Sequence, residues 1–164
     1  MHKTLTLYEM TIRMEHLYDL LEENTDEMRD LVDNQSKRLK KHSLYLGLKY
    51  CVKSNPCLLC PHNFEWRYVR EESYINPKTG QRKGMEFGVL KLSPSSRITK
   101  RELRIYRALH MRDIFKELDD KKDAIMKRRK ILTNAMKEIS QVLQSYETAL
   151  RKEYKKEEGE IIFE

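Results

Sequence analysis

The chain has 164 residues, 36% charged and 39% hydrophobic, with only 5 Gly and 4 Pro and a formal net charge of +7. That balance suits long solvated helices better than a thick core, in one domain or two small ones. It holds no apolar run near the roughly 18 residues of a membrane-spanning helix, and MHKTLTLYEMTIRMEH lacks the apolar segment of a signal peptide. Three cysteines, an odd count, argue against a disulfide framework. These features together predict an intracellular protein of cytoplasm or nucleoid, with no membrane partner.

From about residue 4 to residue 48 the apolar spacing is helical. Leu7, Met14, Leu21 and Met28 recur every seven residues, and Met10, Leu17 and Leu31 follow on the complementary seam, with Asn24 as a polar interruption. This is the seam of a coiled coil or helical hairpin. The basic run Lys37, Arg38, Lys40 and Lys41 closes it.

CVKSNPCLLCPHNFEWRY, Cys51 to Tyr68, then holds every cysteine of the chain. Cys51, Cys57, Cys60 and His62 offer three thiolates and one imidazole, the donor set of a closed tetrahedral structural zinc site. The C-x2-C element puts two sulfurs on one turn, and Pro56 and Pro61 stiffen the connection. Buried thiols beside a chance histidine are the alternative, and His42 could replace Cys51 if the first helix runs on. A catalytic zinc needs an open position beside a general base, and no H-x-E or H-E-x-x-H arrangement is present.

Past the histidine the period becomes two. Phe64, Trp66 and Tyr68 alternate with Glu65 and Arg67, and Met85, Phe87 and Val89 alternate with Glu86 and Gly88. Two strands are predicted, joined through SYINPKTGQRKG with its Asn-Pro and Thr-Gly turn signals. The aromatic face either packs on the metal site and helix roots or stays exposed to stack on bases. The second helical run follows. Thr99 with Glu102 fits a capping box, Ser95 and Ser96 being other plausible caps. Leu118, Ile125, Leu132, Ile139 and Tyr146 then recur every seven residues beside Phe115, Met136, Leu143 and Leu150. Lys121, Lys122, Arg128 and Arg129 crowd that seam, which predicts looser packing there.

The resulting fold class is mainly α: a long antiparallel helical hairpin or coiled coil with an inserted zinc-held β-hairpin. Its parts are an N-terminal coiled-coil helix over 1–48, a zinc-binding β-hairpin module over 49–94 and a C-terminal long helix over 95–164. Residues 37–130 contain 25 Lys and Arg against 10 Asp and Glu, a net of +15, while the ends carry −8. In a hairpin the basic middle would form one tip and hold phosphates. Arg97, Lys100, Arg101, Arg104 and Arg107 fall at three- and four-residue spacing, so they form one helical stripe, and Lys127 to Lys130 lie beyond. Arginine there suits bidentate phosphate or guanine contacts. Arg67, Arg82 and Lys83 add charge at the strands.

CLLCPHNFEWRYVR followed by GMEFGVLKL resembles the small zinc-binding modules of archaeal and bacterial mobile-element and phage proteins. Those modules run Cys, Cys, then His-Gly-Pro-Tyr and an aromatic strand, with a second strand ending near a lysine, as Lys91 does here. The resemblance covers residues 47–92 and carries over Cys51, Cys57, Cys60 and His62, with Trp66 and Tyr68. Asn63-Phe64-Glu65 stands in place of Gly-Pro-Tyr. It implies a DNA-associated setting in a mobile element or virus.

No glycine loop between strand and helix and no G-x-S-x-G elbow is present, and the carboxylates are scattered over helix faces, so no catalysis is expected. The leading expectation is a zinc-stabilised protein that binds double-stranded DNA, favoured over RNA, as a homodimer through the coiled coil. The alternative is a coiled-coil adaptor or inhibitor that meets a protein partner with its basic tip.

Overall fold

The structure, a computed structural model, describes residues 5–39, 43–52, 57, 59–71, 78, 80, 85–92 and 97–160, the side chains of 36–38, 70–71, 85–86 and 155–160 excepted. It is mostly helical, with a small antiparallel sheet. The elements are α1 (Leu7–Leu39), β1 (Leu44–Lys49), β2 (Asn63–Glu71), β3 (Met85–Val89), α2 (Lys100–Ile105), a 3-10 turn (Leu109–Met111) and α3 (Arg112–Glu160).

Helix α1 opens on a capping box. The Thr6 N–H donates to Glu9 Oε2 at 2.8 Å, and the Glu9 N–H donates to Thr6 Oγ1 at 3.2 Å. Helix α1 is described to Leu39 rather than to near residue 48, and residues 44–49 form strand β1. The reason is a change of period. Leu44, Leu46 and Leu48 alternate with Tyr45, Gly47 and Lys49, a spacing that no single helical face can bury. Paired antiparallel with β2, they stand opposite Tyr68, Trp66 and Phe64 respectively. The expected two-stranded hairpin is therefore a three-stranded sheet in the order β1-β2-β3, with the predicted antiparallel pairing of β2 and β3.

The face of β2 that carries Phe64, Trp66 and Tyr68 packs inward on the helices, whereas Phe87 of β3 is exposed. Phe64 and Trp66 are buried with Met28 and Leu39 of α1, Leu103 of α2 and Phe115 and Leu118 of α3. The Trp66 and Phe115 rings lie 5.4 Å apart, and so do Tyr68 and Tyr106. Each such side chain contributes about 1.5–3 kcal/mol when fully buried. Tyr68 lies flat over β3, where a Cβ on Gly88 would come within 2.6 Å of its ring.

Strand β1 is an edge, and Gln35 closes part of it. Its Nε2 donates to the Leu46 carbonyl at 2.6 Å, and the Leu46 N–H donates to its Oε1 at 3.0 Å. One buried side chain thus copies the two bonds a further strand would make at that position.

The second helical run starts where expected. The Arg101 N–H donates to Thr99 Oγ1 at 3.2 Å, and the Thr99 N–H donates to Glu102 Oε2 at 3.0 Å. It is not continuous. The Arg107 N–H bonds the Arg104 carbonyl at 3.2 Å and the Ala108 N–H bonds the Leu103 carbonyl at 2.7 Å, a Schellman ending with Arg107 at φ 54°. Leu103, Ala108 and Met111, before and after the turn, all enter the core.

The chain divides into two compact units, residues 24–127 and residues 1–23 with 128–164. The core just described belongs wholly to the first. Asn24, placed on a seam by the heptad, is buried there and donates from Nδ2 to the Ile125 carbonyl at 3.2 Å. In the second unit Met10, Leu21 and Met136 are buried.

Candidate metal centre and basic surface

The β1–β2 connection builds the first candidate site. Lys49 and Asn63 are the last paired residues of the two strands, and the His62 N–H donates to the Lys49 carbonyl at 2.8 Å. Cys51 just past β1 and His62 just before β2 are thereby brought together. Cys57 and Cys60 close a turn, in which the Cys60 N–H donates to the Cys57 carbonyl at 2.9 Å. Cys51 therefore arrives from a strand, not from the end of the long helix as the sequence suggested, and His42 lies outside the described residues.

The four donor atoms lie within 4.8 Å of one another and could hold a metal ion. Cys57 Sγ stands 3.7 Å from Cys60 Sγ and 3.2 Å from His62 Nε2. Cys51 Sγ is 3.0 Å from Cys60 Sγ, and the Cys51 N–H points at Cys60 Sγ at 3.4 Å. The Cys60 thiol, the Cys57 N–H and His62 all favour a thiolate at Cys51 and bring its pKa down to about 6. The same hydrogen bond with Cys51 pushes the Cys60 thiol up.

The basic residues separate into three groups. Lys100, Arg101 and Arg104 are exposed on α2, and none takes part in an ion pair among the described residues. Exposed Arg107 lies beyond the helix in its left-handed ending, so it is not part of a helical stripe. Arg97 precedes α2 and is held by carboxylates: its NH1 donates to Asp123 at 2.6 Å and its NH2 donates to Asp120. The Arg97 guanidinium keeps the Asp120 carboxyl below the usual carboxylate range. Arg67 is likewise engaged, Nε donating to Glu65 at 2.8 Å and NH2 to the Leu48 carbonyl at 3.1 Å. The side chains of Lys37 and Arg38 on α1, together with Lys40, Lys41, Arg82 and Lys83, lie outside the described residues.

Sequence reasoning passed over Arg112 and Lys116. With Lys100 they line a cleft of about 210 Å³ whose apolar wall is Leu103 and Phe115. Asp119 also reaches this cleft, but its carboxylate is already spent. Oδ1 accepts from the Trp66 indole at 3.0 Å, Oδ2 accepts from the Ile98 N–H at 2.9 Å, and Lys122 Nζ sits 3.0 Å away. Asp119 and Lys122 are both buried, so the lysine expected to loosen the seam is a paired element of the core. The signal was present: Phe115, Lys122, Arg129 and Met136 are spaced by seven, and a buried cation at such a position demands a nearby anion.

No family model, curated protein or solved structure matches this chain.

Proposed function

We propose that the protein is a non-catalytic nucleic-acid-binding protein in which Cys51, Cys57, Cys60 and His62 hold a structural zinc. The reading rests above all on charge. The unit 24–127 contains 23 Lys and Arg against 14 Asp and Glu, a net of +9, whereas the remaining residues have 10 against 12. Within that basic unit, Lys100, Arg101 and Arg104 keep their guanidinium and ammonium groups clear of ion pairs among the described residues, and the adjoining cleft adds Arg112 and Lys116. Polyanion phosphates fit such a surface, with double-stranded DNA the first ligand to test.

Zinc suits the donor set. A tetrahedral ion with Zn–S bonds of about 2.3 Å gives sulfur–sulfur edges of about 3.8 Å; Cys57 and Cys60 stand at 3.7 Å, while Cys51 and Cys60, at 3.0 Å, would have to move apart to take it. A metal there would fasten the end of β1 to the start of β2, where the loop has little apolar material of its own, and would supply folding energy without chemistry. The resemblance to mobile-element and phage zinc modules agrees with this assignment.

The test is binding of the full chain to a labelled 30-base-pair duplex at several salt concentrations. The expected result is micromolar or tighter binding whose logarithm falls linearly with the logarithm of salt. Arg101→Ala with Arg104→Ala should lower the slope by about 2, roughly 0.9 for each phosphate no longer neutralised. Absence of binding at low salt to this duplex and to single strands of DNA and RNA would refute the reading and leave an acidic protein surface as the partner of these cations.

A further inference from the structure

The outer face of the sheet carries flat groups beside the exposed Lys49 at the end of β1. Tyr45 pairs with Arg67 and Arg67 with Val89, so the three stand in a row across β1, β2 and β3, and Val69 pairs with Phe87 in the next row. These residues point away from the core, and Phe87 is 66% and Tyr50 50% exposed. Tyr45, Tyr50, Phe87 and Arg67, with Val32 and Leu39 of α1, line a cavity of about 570 Å³. That is within the range of pockets that bury a planar small molecule.

Arg67 decides what such a cavity can take. Its Nε–NH2 edge is occupied, Nε and NH2 donating to Glu65 and NH2 also to the Leu48 carbonyl. Beneath it, a Cβ on Gly47 would come within 2.7 Å of Nε and 3.0 Å of Cζ, so only glycine lets the guanidinium lie down on β1. A guanidinium with its charge answered by Glu65 and its Nε–NH2 edge spent is a poor bidentate phosphate clamp. What it keeps is a fixed plane, the sole charged group among the described lining residues, which include three aromatic rings. Planes of this kind receive the faces of unstacked bases.

We infer that this cavity seats an unpaired nucleobase, so that the preferred ligand is a single strand. The inference rests on the nucleic-acid reading above and adds the class of strand to it. Exposed α2 cations engage phosphates; the outer sheet face engages the base. The base face is common to DNA and RNA, and the assay separates them.

The experiment is fluorescence anisotropy of the full chain with labelled 20-nucleotide DNA and RNA single strands, an abasic strand of equal length and the 30-base-pair duplex, at one salt concentration. The expected result is affinity for one or both base-bearing single strands about tenfold above that for the duplex and for the abasic strand. Phe87→Ala with Tyr50→Ala, both exposed and outside the core, should lower single-strand affinity about tenfold and leave duplex affinity within about twofold. Gly47→Ala should act in the same direction by lifting Arg67 off β1. Equal binding of the abasic strand, or no effect of Phe87→Ala with Tyr50→Ala, or an equal loss on the duplex, overturns the base seat while leaving the phosphate surface standing. No binding of any nucleic acid overturns both.

Discussion

Replacing Asp119 by Ala should be among the most damaging single changes in the unit 24–127. Asp119 is 2% exposed and Lys122 3%. Losing the carboxylate strands the Lys122 ammonium in the core and leaves the Trp66 indole and the Ile98 N–H without their acceptor. Breaking one side of a buried ion pair costs about 3–5 kcal/mol, and a buried donor left unsatisfied about 1–3 kcal/mol. These terms overlap, and Lys122 retains Asp123 at 3.6 Å, so a total of about 4 kcal/mol is the working figure. Asp119→Asn keeps one acceptor oxygen and should cost about half as much. Trp66 is the only tryptophan and lies in this core. Its fluorescence in a urea titration therefore reports the loss of this packing directly. With a slope of about 2 kcal/mol per molar, the Asp119→Ala midpoint should fall by about 2 M. A shift worth less than about 1 kcal/mol would refute the claim that this carboxylate organises the core.

Two further outcomes follow from the loop and the helix break. Cys57→Ser should abolish stoichiometric zinc in the purified protein, read by elemental analysis, and open the β1–β2 loop to protease, while far-ultraviolet circular dichroism keeps its helical signal; retained zinc would remove Cys57 from the ligand set. Arg107→Gly should raise stability by about 0.5–1 kcal/mol in the same urea titration, since a non-glycine residue pays about 1–2 kcal/mol in the left-handed region, partly offset by glycine's chain entropy. The same change should weaken duplex binding if Arg107 touches phosphate, so that stability and affinity move in opposite directions.

The site and its scaffold were not equally legible in the chain. The Cys/His cluster could be picked out because residue type and short spacing carry it: a C-x2-C turn and a histidine two residues on bring Cys57, Cys60 and His62 together locally, and the β1–β2 pairing adds Cys51. Strands β2 and β3 and the cap at Thr99 were legible for a similar reason, local periodicity and local hydrogen bonding. Thr6 and Glu9 carried the same capping signature and could have been read with it. Strand β1 was harder, because LYLGLK following a basic helical run fits the tail of a helix until a partner strand is available to select the alternating register.

Length, charge distribution and seven-residue spacing by themselves determined a mainly helical protein with a basic middle and a Cys3His cluster. Only the tertiary structure decided which charges are free. Arg97, Arg67 and Lys122 look like neighbouring cations in the sequence, yet each is matched to a carboxylate: Asp120 and Asp123, Glu65, and Asp119. For Arg97 that carboxylate lies more than twenty residues away, and for Lys122 the partner lies one turn back on a face that the heptad assigns to the core. Whether a side chain is available to a ligand depends on which groups the fold places within about 3 Å of it, and charge counts along a chain do not contain that distance.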